Sequence, residues 1–184
     1  MDVMEFFKKS EGNWFSHRTG HYLGARKQEA GKSEVSFTCY ERDHPKVLAV
    51  CELHQVDPAS VAGGAEVTWT GTTAFDEKTH QNMAFLVPVP DKDDPLSGLI
   101  LRNKGYAEEV PVAGRYRMHA DESMTLVTEN SATESEERLW FVSANLRLRT
   151  GVVKHAGGFS ITTFCSEIRR LPPEPAKAEQ EVKS

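Results

Sequence analysis

Hydrophobic and polar residues alternate along most of the chain, which is typical of β-strands with one buried face. Between residues 65 and 75, for example, Val67, Trp69 and Phe75 share one face, and four of the alternate positions on the other face are Glu or Thr. Glycine, asparagine and aspartate punctuate the runs, as expected of tight turns. Many short strands joined by such turns indicate an antiparallel sandwich or a closed barrel. The predicted strands cover residues 13–23, 34–40, 65–75, 82–89, 99–103, 106–112, 115–119, 123–129, 136–143, 146–154 and 159–169.

Two segments have helical spacing instead. In residues 1–10 the apolar residues Val3, Phe6 and Phe7 recur at helical intervals, and we expect this short helix to dock over the end of the sheet or barrel. A second helix is predicted over residues 43–55, with Asp43 as its N-cap and Pro45 in its first turn. Residues 29–33, which contain Gly31, are interpreted as a hairpin turn.

Composition and charge narrow the function classes. The 184 residues fit one domain over 1–170, and the tail 171–184 is rich in Pro, Glu, Lys and Ala, so we expect it to be disordered. The net charge of −5 argues against non-specific nucleic-acid binding, which needs a basic surface. No apolar run approaches the ~20 residues that span a bilayer, so no membrane partner is expected. The N-terminus resembles neither a secretory signal nor a transit peptide.

Familiar catalytic motifs are absent from the sequence. It contains no GxSxG elbow, phosphate-binding loop or GxGxxG motif. His17 and His21 are four apart, which separates their side chains on a strand, so we predict no metal site. The cysteines form no CxxC pair and are interpreted as free thiols in a reducing compartment, with a catalytic thiol as the alternative; they are Cys39, Cys51 and Cys165.

One strand pair concentrates candidate chemistry. Arg147 and Arg149 share a strand face, and Glu137 shares a face with Phe141 on the preceding strand. Adjacent guanidiniums repel each other, and each can donate two parallel hydrogen bonds to a carboxylate, so the pair suits an anionic ligand. Two alternatives stay open: a solvated polar face, or a cavity wall that holds a polar ligand.

Aromatic residues accompany these charges. Trp14 shares a strand face with Arg18, and the three tryptophans are either core residues or walls that stack on a flat ligand. Arginines for carboxylates, a carboxylate for N–H groups and aromatic walls for a planar body would together suit an extended ligand with two acidic arms. A linear tetrapyrrole is one such molecule.

Seven segments, in order from the N-terminus to Arg169, carry a resemblance to a known family. The chain resembles the S-type phycobiliprotein lyases, and the tail lies outside the match. The segments are MEFFKKSEGNWFSHRT at 4–19, CELHQVDP at 51–58, GGAEVTWTGT at 63–72, GYAEEVPVAGRYRM at 105–118, ESEERLWF at 134–141, NLRLRT at 145–150 and GGFSITTFCSEIR at 157–169.

The resemblance implies a fold and an activity. The fold is an all-β, antiparallel, up-and-down barrel of about ten strands, similar to lipocalins and fatty-acid-binding proteins, with a short N-terminal helix and one helix between early strands. The activity is the binding of phycocyanobilin or phycoerythrobilin and its thioether attachment to a cysteine of an apo-phycobiliprotein subunit. The bilin is a transferred ligand, and no cofactor is permanently bound. The expected location is a cyanobacterial cytoplasm or an algal plastid stroma, and homodimerisation stays open.

The resemblance also implies site residues and their roles. Arg18, Arg147 and Arg149 would hold the bilin propionates, and Glu137 would accept hydrogen bonds from pyrrole N–H groups. Glu137, Arg147 and Arg149 are thus the candidate catalytic residues. The ring plane would be fixed by Trp69 and Phe75, where relatives commonly carry Trp at the second position. Further candidate bilin contacts are His21, Trp14, Trp140 and Tyr106.

Two other functions remain compatible with the sequence. One is a non-catalytic, lipocalin-type carrier of a small anionic hydrophobic ligand. The other is a protein-interaction module whose barrel is filled by its own side chains.

Overall fold

The strands close into a ten-stranded antiparallel barrel, which confirms the predicted fold class. The structure is a computed structural model and describes residues 1–73, 76–103, 113–130 and 133–171. Each strand pairs with its neighbours in sequence, and β1 pairs with β10 to close the barrel. The elements are α1 (Val3–Ser10), β1 (Gly12–Tyr22), β2 (Lys27–Tyr40), α2 (Pro45–Leu53), a short 3-10 helix (Pro58–Ser60), β3 (Gly64–Thr73), β4 (Asp76–Pro90), β5 (Ser97–Arg102), β6 (Ala113–Met118), β7 (Met124–Glu129), β8 (Thr133–Ser143), β9 (Leu146–His155) and β10 (Ser160–Arg169).

Helix α1 closes one end of the barrel. It starts with a capping box in which Asp2 accepts from the backbone N–H of Glu5, and the Glu5 side chain accepts from the backbone N–H of Asp2. Its buried face carries Val3, Phe6 and Phe7, and burying each such side chain stabilises the fold by roughly 1.5–3 kcal/mol. These residues pack against Phe37, Ala65, Leu86, Ile100, Tyr116, Met118, Met124, Leu126 and Leu139. We call this the plugged end; the opposite end, across which none of the described elements lies, we call the open end.

Helix α2 packs on the outside of the barrel. Its buried residues Val47, Val50 and Cys51 contact Phe85, Val87 and Leu101, which point outward from β4 and β5. The predicted N-cap was one residue early, because the ring nitrogen Nδ1 of His44, and not Asp43, accepts the hydrogen bond from the N–H of Lys46.

The predicted hairpin turn at residues 29–33 is wrong. The turn occupies residues 23–26, and Gly31 lies inside β2, where it pairs with Arg18. Gly31 permits close approach there, because a Cβ atom would lie 3.2 Å from the carbonyl oxygen of Thr72. The turn itself places Arg26 at φ 50°, a left-handed conformation that the sequence pattern did not reveal.

The remaining predictions concern where a strand begins, or fall on residues that the structure does not describe. Strand β4 begins at Asp76, earlier than predicted. The predicted strand 106–112 and all of the tail from residue 172 lie outside the described part of the chain. Among the described residues, no helix has the length and apolar character needed to cross a membrane.

Candidate functional site

The charged candidates meet on the inner face of β8, β9, β10 and β1. Strand register places Arg18, Cys165 and Arg149 in one row across three neighbouring strands. The next row towards the plugged end contains Glu167 and Arg147. The next row towards the open end runs through Gly20, Thr163, Gly151 and Glu137. The interior wall therefore carries charges on three successive rows.

Arg147 lies at the bottom of this site and is enclosed. Its side chain is 5% exposed, and its Nε donates to Glu167 Oε2 at 2.6 Å. The guanidinium carbon lies 5.0 Å from the ring centroid of Trp14 and 6.0 Å from those of Phe37 and Phe141. Such a buried ion pair needs both partners, because either charge alone would be costly inside the protein. A ligand would have to displace Glu167 to reach Arg147.

Trp14 belongs to the floor of the barrel and not to an accessible wall. Its side chain is fully buried, and its indole N–H donates to the carbonyl of Ser10 at 2.7 Å. Arg169 lies 4.1 Å from its ring centroid, and burial together with the neighbouring Arg147 lowers the pKa of Arg169. Two guanidiniums therefore contact Trp14, which leaves its ring no free surface for stacking on a ligand.

Arg149 is more accessible. It is 25% exposed and donates to Glu137 Oε1 at 2.8 Å, and it lies 3.5 Å from both Glu167 Oε1 and Cys165 Sγ. Glu137 is 26% exposed although it points inward, so solvent reaches it through the open end. Burial raises the pKa of the Cys165 thiol, against the opposing effect of Arg149, and this disfavours a reactive thiolate.

A second cluster lines the β1–β2 side of the same interior. Glu29 is buried and accepts a hydrogen bond from the hydroxyl of Tyr22 at 2.8 Å. Arg18 Nη2 lies 3.6 Å from the same carboxylate, and the Arg18 side chain is 40% exposed. The hydrogen bond to Glu29 is the main reason that the pKa of Tyr22 is raised. Sequence reasoning missed Glu29 because the misplaced turn hid the alternation that points it inward.

The remaining candidates are dispersed. Trp69 is half-buried on the inner side of β3, in register with Val35. His21 is exposed on the outer face of β1, because it alternates with the inward Gly20 and Tyr22. Phe75 and Tyr106 lie outside the described residues.

Trp140 also faces outward. It lines a surface depression of about 310 Å³ together with Asp121, Arg138 and Thr150. Of the ten candidates, the structure therefore brings five onto the interior wall, namely Arg18, Trp69, Glu137, Arg149 and, at the bottom, Arg147.

The sequence pattern gave no reason to select two further buried charges. Glu167 is 2% exposed, and only the β9–β10 register reveals that it pairs with Arg147. Arg102 is 7% exposed and lies in register with Leu86, which belongs to the barrel core. Among the described residues, no group of three or more His, Cys, Asp or Glu side chains could hold a metal ion.

In the two clusters, the positive charges of three arginines face the negative charges of three glutamates. Arg18, Arg147 and Arg149 face Glu29, Glu137 and Glu167. A ligand that carries both carboxylates and N–H groups can exchange partners with the accessible pairs and leave no buried charge unmatched. A purely apolar ligand offers no such exchange, so this chemistry favours a polar, extended molecule.

The chain matches one family of known proteins. The family model described as CpeS-like protein matches residues 2–170. Chromophore lyase CpcS/CpeS 2 of Synechococcus sp. (strain JA-3-3Ab) is 48% identical over 186 residues, and the match covers 100% of both chains. Chromophore lyase CpcS/CpeS of Thermosynechococcus vestitus is 46% identical, and the match covers 97% of this chain and 98% of the relative.

A solved structure supports the same relationship. The S-type phycobiliprotein lyase CPES of Guillardia theta is 27% identical and superposes with a TM-score of 0.83. The superposition covers 94% of each chain. The similarity thus extends over nearly the whole chain.

Proposed function

Because the chain belongs to the CpeS-like family, we propose that it is a bilin lyase. It binds phycocyanobilin or phycoerythrobilin and directs its thioether attachment to a cysteine of an apo-phycobiliprotein subunit. The observation that carries this proposal is the partly exposed Arg149–Glu137 pair, which points into a barrel closed at one end by α1. The chromophore-lyase names of its relatives support the reaction class.

The accessible charged side chains bind different groups of the bilin. Arg149 and Arg18 hold the propionates by charge-assisted hydrogen bonds, which are stronger than neutral ones. Glu137 is then released from Arg149 and accepts hydrogen bonds from the pyrrole N–H groups. Trp69 stacks on the ring system from the β3 side. The buried pair Arg147–Glu167 supports Arg149 from below, since Glu167 Oε1 lies 3.5 Å from Arg149 Nη2.

The lyase positions the bilin, and the acceptor subunit supplies the nucleophile. The acceptor thiol adds across the exocyclic double bond of the first ring, so a sulfur–carbon bond forms and the thiol proton passes to the adjacent ring carbon. No oxidant or metal is consumed in this addition. Holding the bilin in one orientation lowers the barrier by ~7–11 kcal/mol at best. The buried thiol of Cys165, whose pKa is raised, takes no part.

A mixing experiment tests this function. Free phycocyanobilin or phycoerythrobilin is added to the protein, and the visible spectrum should shift and sharpen within minutes. An apo-phycobiliprotein subunit is then added and should acquire covalent colour on a denaturing gel. Binding without transfer would identify a non-catalytic carrier, and absence of any spectral change would refute the bilin site. The expected location is a cyanobacterial cytoplasm or a plastid stroma.

A further inference from the structure

Two turns meet at the open end and form one surface. The backbone N–H of Leu23 donates to the carbonyl of Ser160 at 3.0 Å. A Cβ atom placed on Gly24 would lie 3.8 Å from Cβ of Phe159, so the turns are in contact. We call this surface the lip; it consists of residues 23–27, which are the β1–β2 turn and the first residue of β2, and residues 155–159, which are the last residue of β9 and the β9–β10 turn.

The lip combines apolar and basic side chains. Leu23 is 56% exposed and Phe159 is 48% exposed, with the Phe159 ring stacked on His155 at 4.0 Å. Arg26 and Lys27 are also exposed, and the two lip segments contain no Asp or Glu. The whole chain has a net charge of −5, so this basic surface contrasts with the rest of the protein. Exposed apolar side chains bordered by charge are typical of protein-binding sites.

The position of the lip indicates what it binds. It lies at the ends of β1 and β10, the strands that carry Arg18 and Cys165 on the interior wall. Helix α1 closes the opposite end, so a thiol that reacts with a molecule inside the barrel approaches from the open end. Arg18 lies four residues below Tyr22, about 14 Å at ~3.4 Å per residue, so a ligand held there can extend towards the lip.

We propose that the lip is the docking surface for the acceptor subunit, which presents acidic and apolar side chains beside its acceptor cysteine. This inference rests on the proposed lyase function. The other exposed apolar side chains on β10, Phe164 and Ile168, point away from the interior, because they alternate with Cys165 and Glu167. A partner bound there would have the barrel wall between its thiol and the bilin.

A matched pair of phenylalanine variants tests the apolar part. The full chain is loaded with phycocyanobilin, and initial rates of thioether formation are measured against the concentration of an apo-phycobiliprotein subunit. Phe159→Glu should raise the apparent KM for the subunit by about tenfold or more, while its affinity for free bilin stays that of the wild type. Phe164→Glu changes an equally exposed ring on the outer face and should leave both quantities unchanged.

A charge reversal tests the basic part. The double variant Arg26→Glu, Lys27→Glu should slow transfer at low ionic strength and reverse the salt dependence of the rate, so that added salt speeds transfer, because the new glutamates repel an acidic acceptor and salt screens that repulsion. Lys92→Glu, an exposed reversal at the plugged end, is the control and should behave as the wild type.

The outcomes distinguish failure of the proposed lyase function from failure of the proposed docking surface. If the wild type does not bind bilin, the proposed function fails and the docking surface fails with it. If bilin binds and transfers normally in Phe159→Glu and in the double reversal, only the docking inference is overturned. An equal loss in Phe164→Glu would also overturn it, since the acceptor would then contact the outer sheet.

Discussion

Replacing Glu167 by glutamine tests whether the buried ion pair supports the site. The substitution keeps the volume of the side chain but removes the negative charge that faces Arg147. Both side chains are nearly inaccessible, at 5% for Arg147 and 2% for Glu167, and their atoms are 2.6 Å apart. Arg147 would be left as an uncompensated charge against Trp14, Phe37 and Phe141.

The expected cost follows from this burial. Removing one partner of a buried pair typically destabilises a protein by ~3–5 kcal/mol. We expect about 3 kcal/mol here, because the amide oxygen of Gln still accepts one hydrogen bond. For a chain of 184 residues this corresponds to a fall in Tm of about 6–12 °C.

Urea unfolding followed by tryptophan fluorescence measures the effect. The transition midpoint should fall while its slope stays constant, which is the signature of lost stability without a change in unfolded-state compactness. Glu134→Gln is the matched control, because Glu134 pairs with Lys154 where both side chains are about half exposed, and such pairs contribute little. If Glu167→Gln and Glu134→Gln unfold at the same midpoint, Arg147 is not held by its buried partner.

Four further predictions concern the ligand, the Cys39 thiol and the plugged end. Arg149→Ala should weaken bilin binding by roughly 1.5–3 kcal/mol, seen as a higher Kd in absorbance titration, and an unchanged Kd would refute its contact with a propionate. Glu137→Gln should change the spectrum of the bound bilin more than its affinity, and an identical spectrum would exclude contact with the conjugated rings. Burial raises the pKa of Cys39 to about 11, so its alkylation by iodoacetamide should be slow at pH 8 and accelerate up to about pH 11, whereas an acceleration complete by pH 9 would contradict this. Phe6→Ala should destabilise the protein by ~3–5 kcal/mol in urea, and a smaller loss than 1 kcal/mol would show that α1 is not a core element.

The sequence pattern predicts most strands and helices because these signals are local, but it leaves a sandwich or a barrel open, and the ten-stranded barrel is what the family resemblance implies. Alternation predicts that Arg147 and Arg149 share a strand face, as observed. Helical spacing predicts that Val3, Phe6 and Phe7 share a helix face, and all three are buried. These patterns depend only on residues that are close in sequence.

The local pattern does not predict whether a side chain points into the barrel, or which residue on another strand it contacts. Alternation says that two residues share a face, but barrel closure decides which face is interior. Trp14 and Trp140 show the difference, since one lies in the floor and the other on the outer surface. Glu167 acquires its role only through pairing with a residue twenty positions away.

The turn between β1 and β2 shows how one local error spreads. The sequence pattern predicts a turn at Gly31, whereas this residue serves a close contact between strands. A turn at that position would take Glu29 out of its strand, so the sequence pattern does not reveal the Arg18–Glu29 pair. Glycine serves both purposes, and its letter in the sequence does not distinguish them.

One of the two neighbours of the first strand is the last strand, and this has a consequence during synthesis on the ribosome. Arg18 leaves the exit tunnel long before Cys165 and Glu167. In the folded barrel, Cys165 lies opposite Arg18 across the β1–β10 pair, and Glu167 lies one row further towards the plugged end. A nascent chain that ends before residue 160 lacks β10 and cannot assemble the row that joins Arg18 to Arg149. The proposed bilin site therefore forms only in the nearly complete polypeptide, and on this proposal an incomplete translation product does not compete with full-length copies for bilin.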